Sequence, residues 1–200
     1  MISNILLIGN SKQVVNKPFI MRQDISFKHV CRFNHNWACV YDKVKRHTGD
    51  QFDTLITSHY AHDVSVRELK TYKLLHKVQK VFVISPNNNH SRQIRRLPQM
   101  DYEKITDNEH ATIRDTLVDY KFPIDKYIPR TGITSIIYFA FVRQFNVYLL
   151  GMDVYGTDDP NDQHINKNQK IDLINHSIEA ESKLLIKLME DKKCFLYENI

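Results

Sequence analysis

The sequence predicts an α/β protein, a single Rossmann-like domain in which a mainly parallel sheet is flanked by helices. Short apolar runs rich in β-branched and aromatic residues alternate with longer segments whose apolar residues recur at helical spacing. The chain has 200 residues, 42% of them hydrophobic, which is enough to bury the core of one globular domain. Because no internal repeat or low-complexity linker divides it, we expect residues 1–200 to form one domain.

Six short apolar runs are predicted to be strands. The first ends in Gly9 and Asn10, which are typical turn residues, and the fourth is closed by Pro86. Residues with high strand propensity are frequent in these runs. In chain order, the runs cover residues 4–10, 27–34, 54–58, 81–86, 146–152 and 194–197.

Four segments between these runs are predicted to be helices, namely residues 64–78, 108–120, 131–142 and 178–190. The last of them has a stripe that should be buried, formed by Leu184, Leu185 and Leu188. The segment 87–104 is polar, basic and weakly periodic. We expect it to be a loop with one short helix.

Polar residues follow several of the predicted strands, where an open parallel sheet has its ligand crevice. Gly9-Asn10-Ser11 follows the first strand, Asn34 the second and Ser58 the third, while Asp153 and Tyr155 follow the fifth. Glycine lets a backbone approach a phosphate, so the first turn is a candidate nucleotide site, although a plain strand-to-helix turn has the same residues. It lacks the spaced glycines of a dinucleotide fingerprint, which disfavours a dehydrogenase or a methyltransferase.

The net charge of +5 favours anionic partners such as a nucleotide-sugar, an acidic glycan or an anionic membrane face. No sequence motif of nucleic-acid binding accompanies the basic residues. No apolar run reaches the roughly 20 residues needed to span a bilayer, and the start of the chain does not resemble a secretory signal. The three cysteines lack paired spacing. We therefore expect reduced thiols in a cytoplasmic protein that can dock peripherally on the inner membrane face.

Four segments taken in order resemble the motifs of sialyltransferases. Residues 8–11 and 31–34 are similar to the long sialyl motif, which opens with a Gly-Asn-Ser turn and continues to an Arg-x-Asn strand end. Residues 129–132 and 147–155 resemble the short motif, and His176 with Glu181 resembles the very short motif. Glycosyltransferase families 29 and 42 share these features, and Gly-x-Asp-x-Tyr at 151–155 is closer to the bacterial lipooligosaccharide sialyltransferases of family 42.

The resemblance implies a GT-A-like sialyltransferase variant of the Rossmann fold, a CMP-sugar donor, a glycan acceptor such as lipooligosaccharide or capsule, and neither cofactor nor metal. It implies that His176 is the general base and that Tyr155 hydrogen-bonds the departing phosphate. We add Arg130 as a contact to the donor's phosphate or carboxylate. The expected donor-binding residues are Gly9, Asn10, Ser11, Asn34, Arg130, Thr131, Gly132 and Asp153.

The chemistry of CMP displacement requires such residues independently of any family. A base must take the proton of the acceptor hydroxyl, and an imidazole with an unperturbed pKa of about 6.5 is suited to this. His176 precedes a predicted helix that Asn175 or Ser177 would cap. Since the leaving CMP carries a charged phosphate, hydroxyl and backbone donors can stabilise it without a metal. We expect an inverting single displacement under a mobile lid of residues 156–175, with His164 as the alternative base.

Other interpretations of the sequence are kept open. A transferase using CMP-Kdo or CMP-legionaminate would carry nearly the same motifs, and a nucleotide- or glycan-binding module could keep the fold without catalysis. His59-x-x-His62 and Asp158-Asp159 are more typical of a solvated surface than of a metal site. Bacterial members have a second phosphate-binding tyrosine, whereas residues 156–162 contain none.

Overall fold

Strands and helices alternate along the chain, as the sequence predicts. The computed structural model describes residues 2–10, 22, 24–85, 94–152 and 175–197. Their strands are β1 (Asn4–Ile8), β2 (Phe27–Phe33), β3 (Thr54–Thr57), β4 (Lys80–Val83), β5 (Asp101–Lys104), β6 (Asn146–Leu150) and β7 (Cys194–Leu196). Their α-helices are α1 (Tyr41–Thr48), α2 (His62–Thr71), α3 (Asp107–Asp119), α4 (Thr131–Ile137) and α5 (Ile178–Glu190). Within these ranges, no helix has both the length and the apolar character needed to cross a membrane.

The described strands form one sheet in the order β5-β4-β3-β2-β1-β6-β7, and every neighbouring pair is parallel. From β1 the chain builds outward to β5 and then returns to the other side of β1 with β6. The order of the strands therefore reverses between β1 and β6. In doubly wound sheets a ligand crevice opens at such a switch point, outside the carboxyl ends of the strands.

The two faces of the sheet bury separate apolar clusters because successive side chains of a strand point to opposite faces. Leu7 belongs to the cluster covered by α3, α4 and α5, which includes Ile113 of α3. Leu6 belongs to the other cluster, covered by α1 and α2, which includes Tyr41 of α1. The predicted stripe on α5 is confirmed as part of the first cluster, through Leu184, Leu185 and Leu188.

Three predicted elements differ from the structure. The segment 87–104 is not only loop, since its last four residues form the edge strand β5, which pairs with β4. The predicted helix 64–78 ends at Thr71, after which Lys73 has a positive φ of 56° and a short 3-10 helix covers Leu75–Lys77. The apolar segment 131–142 is α-helical only to Ile137 and continues as a π-helix over Tyr138–Val142.

A charged network fixes the edge strand β5 to the rest of the sheet. Glu103 of β5 accepts a hydrogen bond from the Tyr138 hydroxyl at 2.9 Å. Its carboxylate also lies 2.9 Å from Lys80 Nζ of β4 and pairs with Arg143. Partial burial raises the pKa of the Glu103 carboxyl, but the hydrogen bonds from Lys80 and Tyr138 and the charge of Arg143 outweigh burial and lower the pKa below its ordinary value. The ionised carboxylate therefore stabilises the fold.

Candidate active site

The turn after β1 lies at the switch point of the sheet and requires a glycine. The Gly9 amide donates to the Leu150 carbonyl of β6 at 2.7 Å. A Cβ at Gly9 would lie 2.2 Å from the Gly151 carbonyl oxygen and 2.7 Å from Met152 Sδ. Only a residue without a side chain allows the ends of β1 and β6 to approach this closely.

Asn10 and Asn34 present buried amide oxygens at the ends of β1 and β2. In the part of the chain that the structure describes, neither Oδ1 atom has a hydrogen-bond partner. Asn34 is in the left-handed region with φ 49°, which asparagine tolerates. Its backbone N–H donates to the Ile56 carbonyl of β3 at 2.8 Å. A buried polar group without a partner costs about 1–3 kcal/mol. A ligand with hydrogen-bond donors would remove this cost, so both residues are well placed to bind one.

The start of α4 packs against the same side chain as the turn after β1. A Cβ at Gly132 would lie 2.9 Å from Met152 Cε, just as one at Gly9 would lie against Met152 Sδ. Thr131 is the first residue of α4, and Arg130 precedes it in an extended conformation. Met152 therefore lies between two of the predicted donor-binding segments. One belongs to the residues that resemble the long motif and the other to those that resemble the short motif. The predicted site residues Gly9 and Gly132 are brought together around it, and Thr131 directly precedes Gly132.

An ion pair holds the start of α4 against the first turn of α5. Glu181 is buried, with 2% of its side chain exposed. It accepts the backbone N–H of Arg130 at 2.7 Å and also pairs with Arg130 Nε. The sequence indicated Glu181 only as part of a motif and gave it no role, because nothing in its spacing reveals that it is buried. The Nε of Arg130 pairs with Glu181 and 29% of the Arg130 side chain is exposed, so its contact with the donor stays a prediction.

His176 has an orientation suited to a general base. Its Nδ1 lies 2.6 Å from the Ile128 carbonyl oxygen, and the Ile128 amide donates to the Asn175 carbonyl at 2.8 Å. A carbonyl oxygen can only accept, so Nδ1 carries the proton and the neutral ring has its lone pair on Nε2. Of the two predicted caps of the next helix, Ser177 is the one observed, since its Oγ accepts the Ala180 amide at 3.2 Å.

The backbone connects His176 to the start of α4. Ile128, which orients the imidazole, is two residues before Arg130, which is bound to Glu181 of α5. His176 lies directly before the residue that caps the same helix α5. The candidate base and the predicted donor-binding residues of α4 therefore belong to one hydrogen-bonded group. Asn10 and Asn34 follow β1 and β2, at the carboxyl ends of these neighbouring strands.

Several predicted residues lie outside the described residues, namely Ser11, Asp153, Tyr155, His164 and all of the proposed lid except Asn175. Among the residues that are described, no group of three or more His, Cys, Asp or Glu side chains is arranged to hold a metal ion. His59 Nδ1 lies 3.2 Å from the Ser85 hydroxyl, while His62 contacts Asp63 and Tyr102.

Comparisons with known proteins identify the fold. Neither a protein-family model nor a curated protein sequence matches the chain. Among solved structures, it is similar to a mammalian sialyltransferase in complex with Gal-β-1-3GalNAc-ortho-nitrophenol, with a TM-score of 0.60 and 16% identity, over 100% of this chain and 70% of that one. It is also similar to the monofunctional α-2,3-sialyltransferase Cst-I from Campylobacter jejuni, with a TM-score of 0.59 and 13% identity, over 99% of this chain and 76% of that one.

A third similar structure is that of the sialyltransferase CstII from Campylobacter jejuni in complex with a substrate analogue, cytidine-5′-monophosphate. The TM-score is 0.58 and the identity 15%, over 98% of this chain and 80% of that one. The chain thus has the sialyltransferase fold, as the sequence motifs imply. At these identities the similarity is evidence for the fold, and the activity has to be argued from the site.

Proposed function

We propose that the protein is an inverting, metal-independent glycosyltransferase that moves sialic acid, or a related nonulosonic acid, from a CMP-sugar to a glycan hydroxyl. The observation that carries this proposal is His176, whose imidazole is fixed by the Ile128 carbonyl with Nε2 left to accept a proton. The similar structures support the choice of ligands, since one contains cytidine-5′-monophosphate and another a galactose-containing disaccharide. The unpartnered oxygens of Asn10 and Asn34 support a nucleotide subsite.

The proposed reaction is a single displacement at the anomeric carbon. His176 Nε2 removes the proton of the acceptor hydroxyl as the new glycosidic bond forms and the bond to CMP breaks. Tyr155 and the backbone N–H of Gly132, in the first turn of α4, would stabilise the departing phosphate, which already carries charge and needs no proton from the enzyme. Gly9, whose own N–H is bonded to Leu150, would let the donor approach the turn closely. In this proposal Ser11 and Asp153 line the same donor pocket. Holding donor and acceptor in line should supply a large part of the rate.

Calorimetric titration of CMP and of a non-hydrolysable CMP-sialate analogue, with EDTA present, tests the assignment of the pocket. Asn10→Ala should lose CMP binding because it removes an amide whose oxygen has no partner in the described part of the protein. His176→Ala should bind CMP like the wild type, since the base acts on the acceptor. Asn108→Ala, at an exposed residue in the first turn of α3, is the matched control and should change nothing.

The outcomes separate the proposal from its alternatives. Binding of no cytidine nucleotide to the wild-type protein would overturn the proposed function. Binding of CMP without consumption of any CMP-sugar would identify a non-catalytic module. The affinities for analogues of CMP-sialate, CMP-Kdo and CMP-legionaminate identify the donor. Because the same nucleotide subsite would accept all three, any difference in affinity comes from the sugar.

A further inference from the structure

The turn of residues 58–61, which joins β3 to α2, is firmly held at the carboxyl edge of the sheet. The Ser58 carbonyl accepts the His62 amide at 3.0 Å. The His59 amide donates to the hydroxyl of Ser85, which follows the neighbouring strand β4, at 3.1 Å. His59 is 7% exposed and His62 is 1% exposed, so both side chains anchor the turn in the protein. The backbone of this turn is therefore ordered before any ligand arrives.

Tyr60 lies in this anchored turn and is nevertheless 69% exposed. An aromatic ring that stays in water gains little from the burial of apolar surface, which is what stabilises a fold. A ligand that covers the ring would gain this burial instead. Because the backbone at Tyr60 is already ordered, such binding costs little conformational entropy.

Tyr60 differs in position from the other exposed large apolar residues of the described chain. Ile2 precedes β1. Tyr72 and Val118 lie at the ends of α2 and α3, helices that begin just after the carboxyl end of a strand and so finish at the opposite edge of the sheet. Leu196 belongs to the edge strand β7, on the other side of the switch point. Single exposed apolar residues are normal on a protein surface, so its position is what distinguishes Tyr60.

The carboxyl end of β3 adjoins the candidate active site. β3 pairs with β2, and the backbone N–H of Asn34 at the end of β2 donates to the Ile56 carbonyl of β3 at 2.8 Å. Asn34 also has one of the two buried amide oxygens that lack a partner among the described residues. Neighbouring strands are about 4.8 Å apart, so the ends of β1 and β3 are separated by about 10 Å. A nucleotide-sugar with its acceptor is longer than this distance and can extend from Asn34 to Tyr60.

We propose that Tyr60 is a binding residue for a pyranose ring, namely the sugar of the donor or of the acceptor, which stacks on the tyrosine ring. The inference rests on the proposed function, because it takes the nucleotide to lie at Asn10 and Asn34. The face of an aromatic ring is negative, and the C–H groups of a pyranose are slightly positive, so the two attract each other and exclude water. Tyr60 thus recognises the sugar and not the nucleotide.

The test compares Tyr60→Ala with wild type, using CMP, the non-hydrolysable CMP-sialate analogue and a panel of glycan acceptors. Loss of one aromatic stack should weaken binding of the sugar about three- to tenfold. If the donor sugar stacks on Tyr60, calorimetry should show a lower affinity for the analogue relative to CMP. If the acceptor sugar stacks there, the KM for the acceptor should rise while the affinity for the analogue is kept. In both cases the affinity for CMP should stay the same.

Two further variants distinguish the ring from its hydroxyl and from exposed tyrosines in general. Tyr60→Phe keeps the ring and should keep the sugar affinities of the wild type. Tyr72→Ala removes a tyrosine that is 43% exposed at the far end of α2, and it should change none of these values. An equal loss in Tyr60→Phe and Tyr60→Ala would mean that the hydroxyl binds and not the ring face, and would overturn the proposal.

The remaining outcomes also decide. Urea unfolding of Tyr60→Ala should match that of the wild type, and a marked loss of stability would show that the ring supports the fold, which overturns the inference. Unchanged sugar affinities, or a fall in CMP affinity as large as that for the analogue, overturn it as well and leave the proposed function standing. A wild-type protein that neither binds CMP nor consumes CMP-sialate fails the proposed function itself.

Discussion

The buried pair of Arg130 and Glu181 predicts that neutralising Glu181 destabilises the protein far more than neutralising Glu179, two residues earlier on the same helix. Glu181 accepts two hydrogen bonds from Arg130 and has 2% of its side chain exposed. Removing one partner of a fully buried pair costs about 3–5 kcal/mol. Since the Arg130 side chain is 29% exposed and water can solvate it, we expect about 1–3 kcal/mol for Glu181→Gln.

The assay is urea unfolding at pH 7, with Glu179→Gln as the matched control. Glu179 is 77% exposed and pairs with Lys183 one helical turn away, so water screens the pair and Glu179→Gln should leave the unfolding free energy nearly unchanged. Because Arg130 is two residues from Ile128, which orients His176, Glu181→Gln should also lower turnover more than CMP affinity. Equal unfolding free energies for the two variants would refute this reasoning.

Three further predictions concern the strand ends and the edge strand. Gly9→Ala should lower the unfolding free energy by about 1–3 kcal/mol in a urea titration, because its Cβ would meet the Gly151 carbonyl. Asn34→Gly keeps the left-handed backbone but removes the amide, so calorimetry should show weaker CMP binding without a loss of thermal stability. The stabilisation from ionised Glu103 is present above the ordinary glutamate pKa of about 4.3 and is lost as pH falls through its lowered pKa. Glu103→Gln should therefore flatten the acid side of a urea-midpoint profile measured from pH 7 to pH 3.

The sequence predicted the elements whose side-chain pattern matches their environment. Strands β1, β3 and β4 are apolar because both faces of a parallel sheet are covered, and their order along the chain identified the α/β class. β5 was missed because Asp-Tyr-Glu-Lys has no apolar pattern. It is a strand because it pairs with β4 and because Glu103 is held by Lys80 and Tyr138, which is tertiary information.

The sequence likewise predicted some features of the candidate site and not others. Turn residues such as Gly9 and Asn34 could be predicted, because a glycine or an asparagine after an apolar run indicates a strand end. The pairing of Arg130 with Glu181 could not, since the partners are 51 residues apart and each alone looks like a surface charge. The tautomer of His176 could not be predicted either, because it depends on a hydrogen bond to the backbone carbonyl of Ile128, which no sequence pattern indicates.

The most direct test of the central claim is turnover of CMP-sialate with a panel of glycan acceptors, in EDTA, by wild type and His176→Ala. His76→Ala, at an exposed histidine outside the site, is the control. We expect wild type and the control to release CMP and to form a glycoside of inverted anomeric configuration by NMR, and His176→Ala to bind CMP without turnover. Retained configuration, or equal turnover by His176→Ala and wild type, would contradict the account.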